Sequence, residues 1–265
     1  MQRRFHMGAA ALAGALALSI GALLVDGPQA AVPGAQAAIL VDGDFSGSSS
    51  GKQLRAEGKA PGWFESRRDK AAGRKRLMLS VKDVAGNTTP KAFIKGSAAY
   101  NTYLSQAFTQ PQSGTLSLKW DILVKEVGPQ YNRSAFQMIG DDSAKGKGPN
   151  ATGTERFVFL AYENAATKGK LNLFAFEGGD GGLNKRTLVA RDLDAGKWYT
   201  VRVDADVAGR SYKVTVSGTG TAAQSATVKA FAAKGKQPPS KLTHVSFASW
   251  NDGPGAFYVD NVGQP

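Results

Sequence analysis

The chain has 265 residues, a formal net charge of +12 and no cysteine. Without cysteine it can form no disulfide, thiolate metal site or cysteine nucleophile, so burial of apolar surface must hold the fold together. Only two histidines occur, which excludes a histidine triad and a histidine-rich metal centre.

At the N-terminus, Arg3 and Arg4 precede an apolar run over 7–25, and Ala35-Gln36-Ala37 supplies a small-residue cleavage pattern. These features predict a signal peptide over 1–37 and a mature domain over 38–265, delivered to the medium, the periplasm or the cell envelope. Retained uncleaved, the same run is long enough to anchor the chain in a bilayer. No later segment is apolar enough to span one, so no membrane contact is expected after cleavage. The mature length suits a single large β-domain, since such units commonly reach roughly 200–250 residues.

Period-two patterning then runs through the chain. Leu116, Leu118, Trp120, Ile122 and Val124 alternate with Ser117, Lys119 and Asp121, as in a strand with one buried face. The run 157–162 is apolar on both faces and predicts a central strand, flanked by strands over 135–139 and 171–176. Tyr199, Val201, Val203 and Ala205 share one face, 207–210 forms a turn containing Gly209, and Tyr212, Val214 and Val216 return in phase as an antiparallel hairpin. Further on, His244, Ser246, Ala248 and Trp250 oppose Val245 and Phe247, and a last strand covers 256–262. Segments 140–154, 178–185, 218–225 and 232–240 are rich in Gly, Lys, Asn and Asp and read as end loops. After the signal peptide, no helix longer than a turn or two is expected. The fold class is therefore all-β, an antiparallel two-sheet β-sandwich of jelly-roll type.

The opening Leu40-Val41-Asp42-Gly43-Asp44-Phe45 with Gly62-Trp63, and the closing Phe257-Tyr258-Val259-Asp260-Asn261-Val262, resemble the two ends of jelly-roll domains of the concanavalin A-like lectin and glucanase family. Between them, Trp198-Tyr199-Thr200-Val201-Arg202-Val203-Asp204 followed by Ser211-Tyr212-Lys213-Val214-Thr215-Val216 is similar to a hairpin of laminin-G-like members. The resemblance implies a structural calcium where the first and last strands meet, held here by Asp42 or Asp44 and Asp260. Asp-Gly-Asp is also ordinary turn material, so both readings stay open.

Positive charge is densest at Arg67, Arg68, Lys70, Arg74, Lys75 and Arg76. Such a field attracts polyanions in a salt-dependent way, and for an exported chain an acidic polysaccharide is a more fitting partner than nucleic acid. Expected ligand-binding residues are Trp250 and Tyr199 as stacking faces for sugar rings, with Arg67, Arg68 and Arg76 as anion contacts. A monomer is expected. No catalytic residue is assigned: the Glu-x-Asp-x-x-Glu or Glu-x-Asp-x-Glu strand of family glycanases is absent, and the Gly-rich 178–182 lacks the Lys-Ser/Thr of a phosphate loop. The leading function is a secreted, lectin-like glycan-binding domain. A polysaccharide lyase is the alternative, with Tyr131, Arg133, Gln137, Tyr212 and Lys213 as its candidates, although Gln137-Met138-Ile139 lacks the histidine of one alginate-lyase pattern. A structural surface protein is a third reading.

Overall fold

The alternating runs become strands because each buries one row of side chains and leaves the next row to the opposite face. A computed structural model describes residues 38–47, 62–64, 77–99, 101–129, 132–142 and 154–265. The expected signal peptide, Arg67, Arg68, Arg76 and Tyr131 lie outside these residues. Numbered in chain order, the strands form two antiparallel sheets. Sheet I runs β1 (Trp63–Phe64), β4 (Thr102–Gln112), β13 (Leu242–Ser249), β6 (Ser134–Gly140), β7 (Arg156–Asn164), β8 (Lys170–Phe176) and β9 (Arg186–Asp194). Sheet II runs β12 (Thr221–Lys229), β11 (Ser211–Gly218), β10 (Trp198–Asp206), β5 (Thr115–Val127), β14 (Gly255–Gly263), β3 (Lys91–Lys95) and β2 (Leu77–Ser80). A short 3-10 helix, Gly179–Asn184, is the longest helical element among the described residues. No described helix is long and apolar enough to cross a membrane.

The core between the sheets takes the predicted faces. Leu118, Trp120 and Ile122 of β5 meet Val201 and Val203 of β10, and from sheet I they meet Val158, Leu160, Val245 and Phe247. Strand β7 is central, paired with β6 and β8 as its two-sided apolar pattern requires. The β10–β11 hairpin also forms, with Val203 opposite Val214. One expected loop does not appear as such. Most of 218–225 belongs to β12, an edge strand whose small polar residues are wet on both faces and so carry no alternation to read.

The N-terminal segment is strapped across the sandwich by side chains and by the closing strand. The carboxamide of Gln106 on β4 accepts from the Val41 amide at 2.6 Å and donates to the Val41 carbonyl at 2.8 Å, acting as a surrogate peptide group. The Trp63 indole donates to the Asp42 carbonyl at 2.9 Å, and Val262 on β14 donates to the Gly43 carbonyl at 2.8 Å. Gly43 approaches Val262 so closely that a β-carbon there would collide with the Val262 carbonyl. The opposite edge is held by a second carboxamide: Gln224 on β12 brackets the Arg191 backbone of β9 at 3.0 and 3.1 Å.

Candidate functional site

Sheet I is apolar on both faces, and its outer face carries a second cluster separate from the inter-sheet core. Tyr103, Phe136, Met138, Phe159, Ala161, Phe176, Ala248 and Phe231 are buried there, with Phe174, Leu183 and Trp250 packed around them. Strand parity explains the gathering: Phe136 and Met138 alternate with core-facing Gln137 and Ile139, while Phe159 and Ala161 alternate with Val158 and Leu160.

Trp250 lies on this face, beside Ala248 as the alternation of its strand predicts. It is half-buried and stacks on Phe136 with ring centroids 3.9 Å apart. The Arg156 guanidinium sits 4.5 Å from the Phe159 ring centre and 4.9 Å from that of Trp250. A guanidinium on an aromatic face contributes roughly 0.5–2 kcal/mol, more as it is desolvated. The indole N–H of Trp250 makes no hydrogen bond among the described residues. Two further arginines border the cluster. Arg186 stacks on Phe174 at 4.7 Å and pairs with Glu163 at 3.1 Å, and Arg133 stands 3.8 Å from Asp252. Burial pushes the Glu163 carboxyl above its ordinary range, against the pull of Arg186 and Arg133.

At the far side of this face, Ser105 donates to Ser246 at 2.7 Å, and the His244 ring contacts the Thr243 hydroxyl at 2.8 Å. Burial lowers the His244 imidazole below its usual value, with the Asp141 charge opposing. His244 is an ordinary hydrogen-bonded strand residue.

Other expected site residues fall elsewhere. Tyr199 belongs to the inter-sheet core at 5 % exposure, its hydroxyl accepting from the Asp194 amide at 2.8 Å, so its ring offers no stacking face. It shares the apolar side of β10 with Val201 and Val203, and that parity decides its direction. The lyase candidates are not brought together. Gln137 is buried, accepts from the Trp120 indole at 2.8 Å and donates to the Ala135 carbonyl at 3.1 Å. Tyr212 is buried between the sheets while its neighbour Lys213 is exposed on the opposite side of β11. Of that set, Arg133 alone borders the aromatic face among the described residues. The residue that sequence reading missed was Arg156: it opens the central strand three residues before Phe159, where strict alternation would set it on the opposite side, and the bulge between Ile139 and Gly140 interrupts that alternation so that its guanidinium meets the Phe159 ring.

Sheet II carries a separate polar cleft of about 740 Å³ on its outer face, lined by Asp42, Asp44, Lys119, Asp121, Thr200 and Asn261 among others. Within it, the Asp42 carboxylate accepts from the Gly47 amide at 2.7 Å and Asp44 from the Ser46 amide at 3.1 Å, which is turn chemistry. The Ser46 bonds hold the Asp44 carboxyl below its ordinary value. Asp121 accepts from Thr200 at 2.6 Å and from the Asn261 amide group at 2.8 Å. Asp260 is fully buried; its carboxylate accepts from Asn87 and Thr89, each at 2.8 Å, and from the Asn261 amide at 2.8 Å. Burial outweighs these donors and raises its carboxyl above the usual range. Among the described residues no three His, Cys, Asp or Glu side chains gather in a way suited to a metal ion.

No family profile and no curated protein matches the sequence. Solved structures do match in fold. The catalytic domain of the glycoside hydrolase family 131 protein from Coprinopsis cinerea aligns over 85% of this chain and 93% of its own, with a TM-score of 0.52 and 15% identity. The alginate lyase from Klebsiella pneumoniae aligns over 85% and 92% at a TM-score of 0.48 and 13% identity. The Lotus tetragonolobus seed lectin aligns over 75% and 95% at 0.45 and 8%. At such identities the likeness is one of architecture, and the chain has a two-sheet antiparallel jelly-roll fold.

Proposed function

We propose that this protein is an exported, monomeric glycan-binding domain that takes an acidic polysaccharide on the outer face of sheet I and does not cleave it. One observation carries this reading: the Arg156 guanidinium lies against Phe159 and Trp250, with Arg133 and Arg186 beside the same aromatic cluster. Carboxylated sugar rings present apolar C–H faces that suit aromatic surfaces and anionic groups that suit guanidinium forks. The basic segment containing Arg67, Arg68 and Arg76 adds long-range attraction for the same polyanion. The glycoside hydrolase catalytic domain named above, which shares this architecture, agrees with a carbohydrate ligand in general. Non-catalytic binding is favoured over lyase action because Gln137 and Tyr212 are committed to the interior.

Calorimetric titration of the purified protein with uronic-acid oligosaccharides and with neutral glucans tests the proposal, with ultraviolet absorbance followed for an unsaturated product. Uronate binding without new absorbance is expected, weakening as salt rises from about 0.1 to 1 M and the screening length falls from about 10 to 3 Å. Arg156→Gln should raise Kd about tenfold or more, equivalent to roughly 1.4 kcal/mol, with the thermal midpoint measured as a control for folding. New absorbance would establish a lyase, equal affinity for neutral glucans would remove the arginines from recognition, and no binding to any glycan would favour a structural surface role.

A further inference from the structure

The family resemblance implies calcium at the junction of the first and last strands, yet the atoms around Asp260 do not suit one. Calcium needs roughly six to eight oxygen ligands, taken from carboxylates, carbonyls and water. Asp260 is instead surrounded by donors. Its Oδ2 accepts from both the Asn87 amide group and the Thr89 hydroxyl, and its Oδ1 accepts from the Asn261 amide. The Lys82 carbonyl on the same connection is already engaged, accepting from the Lys91 ammonium at 3.0 Å.

Strand register explains the arrangement. Tyr258 pairs with Phe93 and Val259 with Ala92, so the next step along the two antiparallel strands sets Asp260 opposite Lys91. Both residues are 0 % exposed. On the other side of β14, Asp260 pairs with Asp121 of β5, and two carboxylates directly opposite each other repel unless a cation or donors intervene. Asn261, at a φ of 51° where β14 bulges, separates them by donating its amide group to Asp121 and its backbone N–H to Asp260. The connection from β2 to β3 folds over the same spot. Val84 and Asn87 form a small bridge, Trp198 donates to the Val84 carbonyl at 2.7 Å, and Asn87 and Thr89 both donate to the Asp260 carboxylate.

We propose that the Lys91 ammonium is the built-in counter-ion of Asp260, so that the 81–90 connection is locked to the closing strand without a divalent cation. Lysine suits this role here because its long stem can remain within the sheet while its ammonium bonds the Lys82 carbonyl and its charge favours the Asp260 carboxylate through space, without a direct ion pair. The lock is specific to Asp260. Asp42 and Asp44 belong to the neighbouring cleft and serve their own turn.

Thermal unfolding of the full chain in excess calcium and in excess chelator is the first test, and equal midpoints are expected. Lys91→Met, which keeps the apolar stem and removes the charge, should lower the midpoint by about 8 °C, as expected for stranding a buried charge in a domain of this size. In the double variant Lys91→Met with Asp260→Asn most of that loss should return, since neither charge is then left alone. If Lys91→Met does not fold, Asp260→Asn by itself remains informative. A calcium-dependent rise in the original protein that disappears in Asp260→Asn would overturn the proposal, as would strictly additive losses in the double variant. A rise that survives Asp260→Asn would place any calcium away from Asp260 and leave the lock supported.

Discussion

Burial at His244 sets the pH dependence expected of a single residue. The folded protein holds this imidazole below its ordinary value of 6.5, because the face of sheet I disfavours the cation more than Asp141 favours it. Neutral His244 therefore contributes stability that is complete above pH 6.5 and is lost as pH falls from there through the folded value. The difference in urea midpoint between the original protein and His244→Gln should shrink from pH 7.5 to about pH 5. A constant difference would rule this residue out as the source. The direction of His244 was legible in the sequence, since Val245 and Phe247 claim the opposite side of the strand. Trp250 was legible in the same way, but its neighbours were not. Arg156, Phe136 and Phe159 arrive from strands far along the chain, and no local pattern announces which aromatic a distant arginine will cover. Tyr199 shows the converse case: parity placed it with the core, and the wish for a stacking face was weaker evidence than its valine neighbours.

At the scale of elements, reading succeeded wherever one face was uniformly apolar. Strands β5, β7, β10, β11, β13 and β14 carry that signal, and even the neighbours of β7 followed from its two-sided burial. Strands β4, β9 and β12 escaped for different reasons. In β4 the buried positions include Thr102, Ser105 and Gln106, which break the apolar rhythm while finding hydrogen-bond partners in Lys95, Ser246 and Val41. In β9 the alternation is interrupted by register shifts against β8 and by Asp192 at a φ of 57°. Strand β12 has little buried face at all, and its position is fixed by pairing with β11. The N-terminal strap offers the sharpest test at this scale. Gly43→Ala would force the segment off the Val262 carbonyl, and a loss of about 2 kcal/mol or more is expected from chemical denaturation. Faster exchange of the Val262 amide in the same variant would locate the damage, whereas unchanged exchange would show that the segment is not docked there.

For the whole molecule, the absence of cysteine and the length of the apolar seam make stability a matter of two sheets staying pressed together in any redox setting. The formal charge of +12 opposes self-association through general repulsion while drawing in polyanions. Sheet order adds a consequence in time. Strand β14 is interior to sheet II, yet it follows every other described strand in the chain: it lies between β5 and β3 and joins the early β2–β3 pair to the β5–β10–β11–β12 half. Until β14 emerges from the ribosome, the first and middle parts of that sheet have no shared partner, and the inner edges of β3 and β5 remain open. The nascent sandwich should therefore stay protease-sensitive until β14 has emerged. A version ending before Gly255 should show no cooperative unfolding transition, and a cooperative one would mean that the sandwich can assemble around its missing middle.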